Sequence, residues 1–216
     1  GRGLVAIKID ASVPGQREVA LAFRINGYPT MVVAEPGGKE IERFYGFHPT
    51  GEFIQTIKDY VNNINTATWF KEQALSKPDD LEAAFRAGRE LAIRSRGEEA
   101  IPFLKQVIDS DDGVKQDHLP EAMLLLGKTV YHDQLRDFDA AIPIFEKLAV
   151  RFPTTYHASE AIYGLAQIHV QRKELDKAKE VLLKRAPTPD HDPIATFRFA
   201  GFCNQFNILL EEAVMR

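Results

Sequence analysis

Cysteine is almost absent from this sequence, since its 216 residues include only one, Cys203. A lone cysteine can form neither an internal disulfide nor a CxxC redox pair, so the chain as given lacks the groups for thiol–disulfide exchange. Cys203 lies within the apolar run FRFAGFCNQF, where a free thiol usually behaves as a small hydrophobic residue. We therefore expect it in the core and assign no catalytic residue to the chain itself.

The sequence also lacks a large excess of either charge. It contains 27 Lys and Arg residues and 31 Asp and Glu residues, for a net charge of −4. This balance argues against an electrostatic hold on nucleic acid or on an anionic membrane. The longest apolar run is far shorter than the roughly 20 residues that span a bilayer, so no membrane insertion is predicted.

The six histidines are scattered without metal-ligand spacing, and we expect no metal ion or other cofactor. His132 and Asp133 are predicted to form a surface pair.

The first part of the chain alternates short apolar segments with turn residues. LVAIKID at residues 4–10 is rich in β-branched side chains and predicts a buried strand, which a short helix follows. TMVVAE and EIERFYGF flank the turn PGGK, whose glycines allow the backbone conformations of a hairpin. PTGEFIQTIKDYVNNI, residues 49–64, has the spacing of an amphipathic helix. The predicted order over residues 1–65 is β-α-β-β-α.

A proline stands directly before the second predicted strand, at Pro29 in the stretch NGYPT. Proline has no amide hydrogen for a β-ladder and is normally kept off central strands. A cis peptide bond between Tyr28 and Pro29, closing a tight turn at the entrance of the strand, would explain it, because only X-Pro bonds adopt cis at low cost. A simple turn proline is the alternative.

This order of elements, with NGYPT, the hairpin GGKEIERFYGF and a closing amphipathic helix, resembles the C-terminal half of thioredoxin-like domains that reduce other envelope proteins. The resemblance implies that Tyr28, Pro29 and Thr30 form a cis-proline loop that offers its backbone to an extended peptide. It also implies an envelope location such as the bacterial periplasm, with the cytoplasm as the alternative. The CxxC of that family lies upstream of the matching segment. Either it was cut off, or the parent protein is redox-silent and only binds.

Half of a thioredoxin-like sheet would leave an open edge, so we expect this part to be loose alone or to pair with another chain, including a second copy. The chain begins with Gly instead of Met and stops shortly after Ala213, which would fall early in a helix. We therefore expect it to be a fragment of a longer protein.

A different organisation begins near residue 81, where small residues recur at fixed intervals. Four pairs share one frame: Gly88 and Ala100, Gly127 and Ala141, Ala166 and Ala178, and Gly201 and Ala213. The two members are twelve residues apart, except in the second pair, where they are fourteen apart. The longer spacing indicates two residues inserted around His132 to Leu135.

This frame resembles the tetratricopeptide repeat (TPR), in which a small residue on a first helix packs closely against an alanine on a second helix. A large apolar residue four positions after that alanine, at Leu104, Phe145 and Leu182, fills the gap to the next helix pair. The triplet AIP repeats at Pro102 and Pro143, and we expect both prolines in the opening turn of a second helix.

The predicted fold class is α/β plus all-α. A partial thioredoxin-like unit covers residues 1–65, a linker helix covers residues 66–80, and a TPR α-solenoid covers residues 81–216. The solenoid would contain about three full repeats and a truncated fourth.

TPR arrays generally bind peptides or partner proteins on a concave surface lined by first helices. Carried onto this frame, the groove positions are Phe85, Arg89, Leu124, Lys128, Tyr131, Tyr163, Gln167 and Arg198. Arg89 and Lys128 occupy the same frame position and could grip an acidic peptide; ordinary solvated helix charges are the alternative. The Lys/Asn pattern by which some chaperone-binding repeats hold a C-terminal carboxylate is not reproduced, so that ligand is not predicted.

These observations predict a protein-interaction or chaperone-type adaptor with protein or extended-peptide partners. The alternative is a fragment of a thiol:disulfide oxidoreductase whose CxxC lies upstream of residue 1.

Overall fold

The computed structural model describes residues 5–25, 27–110, 118–185 and 193–209. Contacts between Cα atoms divide the chain into two units, residues 1–69 and residues 70–216.

The first unit is built around a β-hairpin. It contains, in order, helix α1 (Gln16–Ala22), strand β1 (Thr30–Ala34), strand β2 (Glu40–Tyr45) and helix α2 (Thr50–Val61). The strands are antiparallel and pair Thr30 with Tyr45 and Val32 with Arg43, with an irregularity between Val33 and Ala34. Gly38 has a φ of 82°, the left-handed conformation that the predicted PGGK turn requires.

The core of the first unit is small. Val33 on β1, Phe44 on β2 and Tyr60 on α2 form a buried cluster, against which partly buried side chains of α2 pack. Arg43 extends from β2 to α1: its Nη2 donates a hydrogen bond to the backbone oxygen of Phe23 at 2.8 Å. The same guanidinium pairs with Glu40 at 2.5 Å.

The prediction of a strand at residues 4–10 is wrong for the part of this segment that the structure describes. Residues 5–10 have no strand, and Val5 and Ile7 are 84% and 77% exposed. The described sheet contains only β1 and β2, and the buried cluster beside it includes no side chain from residues 5–10, so this segment gains no apolar burial there. The amide of Asp10 instead donates to the side chain of Gln16 at 2.7 Å. The described order is therefore α-β-β-α instead of β-α-β-β-α; Leu4 lies outside the described residues.

Helix α3 (Ala67–Ser76) follows, and the second unit continues as a series of helices. They are α4 (Leu81–Ile93), α5 (Gly97–Asp109), α6 (His118–Leu124), the π-helix π1 (Leu125–Leu135), α7 (Phe138–Arg151), α8 (Tyr156–Gln171), α9 (Leu175–Arg185) and α10 (Pro193–Phe206). Helix α4 packs on α5, α5 on π1, π1 on α7, α7 on α8, and α8 on α9. Consecutive helices thus pack side by side in pairs, as the repeat frame predicts.

Side-chain caps define where several of these helices begin. Asp80 accepts a hydrogen bond from the amide of Ala83 at 3.0 Å, and Asp137 accepts one from the amide of Ala140 at 3.0 Å. These carboxylates satisfy amides that have no partner within the helix and lie at its positive end. Thr155 caps α8 in the same way.

The two AIP prolines lie deeper in their helices than expected. Pro102 and Pro143 are each the sixth residue of the helix, in α5 and α7, and not in the opening turn. Helix α7 starts early because Asp137 caps it, and the helical backbone continues through the proline in both helices.

Close helix packing is confirmed at two of the small-residue positions, Gly88 and Gly127, whereas a Cβ atom added to Gly201 would meet no described atom within 4 Å. A Cβ atom added to Gly88 would lie 2.8 Å from the side chain of Leu104, and one added to Gly127 would lie 2.9 Å from the ring of Phe145. Real Cβ atoms do not approach other atoms this closely, so only glycine fits at these two positions. The Ala213 half of the fourth pair lies outside the described residues.

The π-helix π1 accommodates the two extra residues of the second repeat. A π-helix closes its hydrogen bonds over five residues, so it takes up more residues per turn than an α-helix. Helix π1 contains His132, whose side chain is buried. The prediction that His132 and Asp133 form a surface pair is therefore wrong for His132. Its Nδ1 lies 2.6 Å from Oδ1 of Asp133.

Candidate functional site

In the repeat frame, the first helices of the four pairs are α4, α6 continued by π1, α8, and α10. The predicted groove residues all lie on these helices. Phe85 and Arg89 lie on α4, Leu124 on α6, Lys128 and Tyr131 on π1, Tyr163 and Gln167 on α8, and Arg198 on α10. The frame therefore places them on equivalent helices.

Two of the predicted residues are buried. The ring of Phe85 stacks on the imidazole of His118 with 4.1 Å between ring centroids, and Tyr131 lies in the interior of the unit. Both contribute to packing. Leu124, Lys128, Tyr163, Gln167 and Arg198 are partly exposed.

Ion pairs connect the first helices of successive repeats. Arg89 on α4 donates through Nε to Oε1 of Glu121 on α6 at 3.1 Å. Lys128 on π1 pairs with Glu160 on α8. Each cation expected to grip an acidic ligand thus contacts a carboxylate from the next repeat.

Glu160 also pairs with Arg198 on α10, whose Nη1 lies 3.0 Å from Oε1 of the carboxylate. Lys128, Glu160 and Arg198 together form what we call the Glu160 cluster. Two positive side chains share one carboxylate there, so the cluster has a net charge of +1. At Arg89 the charges balance, because Glu90 and Glu121 both pair with it and Glu90 also pairs with Arg94.

These contacts shift the pKa values of both arginines. Burial lowers the pKa of Arg89, but the hydrogen bond to Glu121 and the charges of Glu90 and Glu121 outweigh burial and raise the pKa overall. A hydrogen bond with Tyr156 raises the pKa of Arg198, with a smaller contribution from the charge of Glu160. Both guanidinium groups therefore stay positively charged at any pH at which the protein is folded.

A pocket of about 360 Å³ opens beside the Glu160 cluster. It is lined by Glu160, Tyr163, Arg198, Gly201, Phe202 and Gln205. The rings of Tyr163 and Phe202 pack with 5.3 Å between centroids, and the guanidinium of Arg198 lies 4.8 Å from the centroid of the Tyr156 ring. The pocket thus combines an aromatic wall with a positively charged group.

Sequence reasoning missed the carboxylates of this surface, although a signal for them exists. Arg89 and Lys128 are 39 residues apart, and so are Glu121 and Glu160. A search of the repeat frame for acidic residues at the same interval would have found the partners. Phe202 and Gln205 carry no comparable signal, since the pocket depends on how α10 packs.

The predicted cis-proline loop lies in the first unit. The Tyr28–Pro29 peptide bond is cis, as expected. The backbone oxygen of Pro29 accepts a hydrogen bond from the amide of Gly46 at 2.9 Å, and Oγ1 of Thr30 donates to the backbone oxygen of Gly27 at 2.5 Å. Tyr28 is 71% exposed.

Phe47 follows Gly46 directly and is 92% exposed, and sequence reasoning did not single it out. The hydrogen bond between Gly46 and Pro29 places the backbone of Phe47 beside the loop. One large exposed aromatic side chain, Tyr28, therefore belongs to the loop, and a second, Phe47, directly follows the residue that bonds to the loop.

The repeat assignment is supported by comparison with protein families. The tetratricopeptide repeat model matches residues 134–195. This segment contains α7, α8 and α9, which include the third helix pair and the second helix of the pair before it. No curated protein and no solved structure matches the chain significantly.

Within the described ranges, no group of three or more His, Cys, Asp or Glu side chains could hold a metal ion. None of the described helices is long and apolar enough to cross a membrane. Cys203 is a buried free thiol, as expected.

Proposed function

We propose that this chain is a protein-interaction adaptor whose main binding surface is the groove formed by first helices of the repeat unit. The observation that carries the proposal is the match of residues 134–195 to the tetratricopeptide repeat, a class that typically binds protein partners. The partly exposed residues Leu124, Lys128, Tyr163, Gln167 and Arg198 would form the contact surface.

In this proposal, Arg89 exchanges the carboxylate of Glu121 for one supplied by the partner, whereas Lys128 binds a partner carboxylate while it keeps Glu160. Both side chains are more than two-fifths exposed, with 43% and 41% accessible. In the Arg89–Glu121 pair the carboxylate is exposed as well, at 36%, and such a pair contributes only about 0–1 kcal/mol, so replacing Glu121 by a ligand costs little. An acidic partner would therefore find these cations available at low cost.

A peptide-display experiment tests the groove. Peptides selected from a random 12-residue display library against the full chain would be labelled, and their affinities measured by fluorescence polarisation. The double variant Arg89→Glu/Lys128→Glu should weaken selected acidic peptides by about tenfold or more, because it reverses the charge at both contact points.

The matched control is Lys105→Glu/Lys147→Glu. These lysines are exposed on the second helices α5 and α7, and their reversal changes the net charge by the same amount. We expect the control to lower affinity by less than about threefold, since its charges lie outside the contact surface. Equal losses in the two double variants, or no selected peptide at all, would contradict the proposed groove.

For the first unit we propose a thioredoxin-like origin, in which Tyr28, Pro29 and Thr30 present a backbone to an extended peptide. The exposure of Tyr28 and Phe47 supports it, since large exposed aromatic side chains often mark interaction sites. The two-stranded sheet has outer edges that an added strand, including one from a second copy, could pair with. A periplasmic or envelope location would follow from this origin.

The second candidate function is a fragment of a thiol:disulfide oxidoreductase. The same exposed loop favours it, because an exchanging enzyme must bind an extended substrate beside its thiolate. The chain as given contains one buried cysteine, so the proposal requires a CxxC upstream. Reading the coding sequence before Gly1 tests it first. Insulin reduction by the full-length parent would support the enzyme, and no turnover would support the adaptor.

A further inference from the structure

The Glu160 cluster differs from the other ion pairs of the groove in its charge balance. Glu160 is mostly buried, whereas Lys128 and Arg198 are 41% and 39% exposed. Its one negative charge cannot neutralise both cations. Among the residues that the structure describes, Glu160 and Arg198 are the charged side chains that line the adjoining pocket.

Both cations have hydrogen-bond donors beyond those that hold Glu160. An ammonium group has three N–H donors and a guanidinium group has five, and neither can accept a hydrogen bond. Lys128 and Arg198 each make one ion pair with Glu160, and Arg198 also bonds to Tyr156. A second carboxylate can therefore be bound without displacing Glu160.

Apart from the polar side chain of Gln205, the rest of the described pocket wall is aromatic or small. Tyr163 and Phe202 form a tilted ring pair, Phe202 packs in turn on Phe206 with 4.6 Å between centroids, and Gly201 presents no side chain. An apolar side chain placed against these rings would be shielded from water. The pocket volume of about 360 Å³ leaves room for one large side chain together with a neighbouring carboxylate.

We propose that this pocket binds an acidic residue followed by a large apolar residue in an extended partner peptide. The carboxylate would bind Arg198 in the pocket and Lys128, which lies outside the pocket lining at the other oxygen of Glu160, and the apolar side chain would pack on Phe202 and Tyr163. A net local charge of +1 matches one carboxylate and is too small to neutralise a phosphate dianion. The inference deepens the proposed function and rests on it, because it assigns a partner chemistry to one end of the groove.

Three labelled peptides of otherwise identical sequence test the pocket against the full chain. The first is Gly-Ser-Gly-Glu-Phe-Gly-Ser-Gly; the second replaces Glu by Gln, and the third replaces Phe by Gly. Fluorescence polarisation in low salt would give the three affinities. We expect the Glu-Phe peptide to bind about tenfold more tightly than the Gln-Phe peptide, because a charge-assisted hydrogen bond is lost in the latter.

Variants assign the effect to the pocket. Arg198→Gln should abolish the preference for Glu over Gln, and Arg198→Lys should retain part of it because the positive charge remains. Phe202→Ala should abolish the preference for Phe over Gly. The control Arg172→Gln removes another partly exposed arginine of the same unit, which pairs with Asp139 at 2.7 Å, and should leave both preferences unchanged.

The outcomes separate this inference from the groove proposal. Equal affinity for the Glu-Phe and Gln-Phe peptides, or equal effects of Arg198→Gln and Arg172→Gln, would overturn the pocket while leaving the groove in place. If none of the three probes binds although display-selected peptides do, the pocket inference alone fails. If neither the probes nor any selected peptide binds, the proposed function fails with it. Circular dichroism of each variant confirms that it is folded.

Discussion

Phe145 shows how a single residue organises the helix pairs. Its side chain is fully buried, and its ring lies between two glycines, Gly127 on π1 and Gly164 on α8. A Cβ atom at Gly164 would lie 2.7 Å from the ring, and one at Gly127 would lie 2.9 Å from it. Because the ring is confined on both sides, it cannot move away from an added methyl group.

Gly164→Ala should therefore destabilise the protein, although Ala is normally the better helix former. Helix propensity favours Ala over Gly by about 1 kcal/mol, whereas overpacking a confined ring costs about 1–3 kcal/mol. We expect a net decrease in the free energy of unfolding, measured by urea denaturation.

A second background tests the cause of this decrease. In Phe145→Leu the smaller side chain leaves room for a methyl group, so Gly164→Ala should cost at least about 1 kcal/mol less there than in the original chain. Strict additivity of the two substitutions would show that the ring is not what excludes alanine at Gly164.

At the scale of elements, the second repeat shows how a helix absorbs an irregular spacing. The frame predicted two inserted residues near His132, but it did not say whether they would form a loop or remain helical. In the structure the backbone stays helical as π1 over Leu125–Leu135. Looping the residues out would leave buried amides without partners, which the wider π-helical turns avoid.

A charged triad joins α3 to α5 within the second unit. Oε2 of Glu99 on α5 accepts from Nζ of Lys71 on α3 at 2.7 Å, and Arg96 bonds to both oxygens of the same carboxylate. The hydrogen bonds from Arg96 are the main cause that lowers the pKa of Glu99 to about 2, against a smaller opposing effect of burial.

The lowered pKa predicts a pH-dependent stability. Glu99 binds a proton less readily in the folded chain than in the unfolded chain, where its pKa is near the ordinary 4.5. Its contribution is therefore complete above about pH 4.5 and is lost as the pH falls towards 2. Glu99→Gln should lower the free energy of unfolding by about 1 kcal/mol at pH 7, a modest amount because solvent screens a partly exposed carboxylate.

Urea denaturation at pH 7, 5 and 3 would check this expectation. The difference between the original chain and Glu99→Gln should be largest at pH 7 and should shrink by pH 3. Glu98→Gln is the matched control, since Glu98 is exposed in the same first turn of α5. A difference that stays constant with pH would contradict the role of the Glu99 charge.

At the scale of the whole molecule, the two units differ in how much core each one has. The first unit has a buried cluster of Val33, Phe44 and Tyr60 and a sheet with two described strands. A two-stranded sheet is marginal in water without more packing. The second unit buries many large side chains completely, including Phe145, Leu91, Leu104, Met123 and Leu148.

Hydrogen exchange on the full chain should separate the two units. We expect amides of β1 and β2 to exchange at least about tenfold faster than those of α5 and α7, because local opening requires less free energy where fewer apolar contacts are lost. Mass spectrometry of peptic fragments would measure the rates. Equal protection would contradict the small-core argument. Protection of β1 and β2 that rises with protein concentration would instead indicate pairing of the sheet with a second copy.

The amino-acid sequence by itself determined the repeat unit, because its signals are local. Intervals between small residues and the apolar residues four positions later act within one helix or between neighbours in the chain. The hairpin and the helix after it were predictable for the same reason. The strand over residues 4–10 was not, because whether an apolar segment forms a strand depends on a distant backbone that can pair with it.

Only the tertiary structure decided which groups meet in the proposed groove. Arg89 and Lys128 could be placed on equivalent helices from the frame, but their carboxylate partners come from the next repeat. The shared position of Glu160 between Lys128 and Arg198 depends on how π1, α8 and α10 pack. Side-chain identity and spacing determine which residues lie on one face of a helix. The charge balance of a pocket depends on several such faces, which only the packing of the helices brings together.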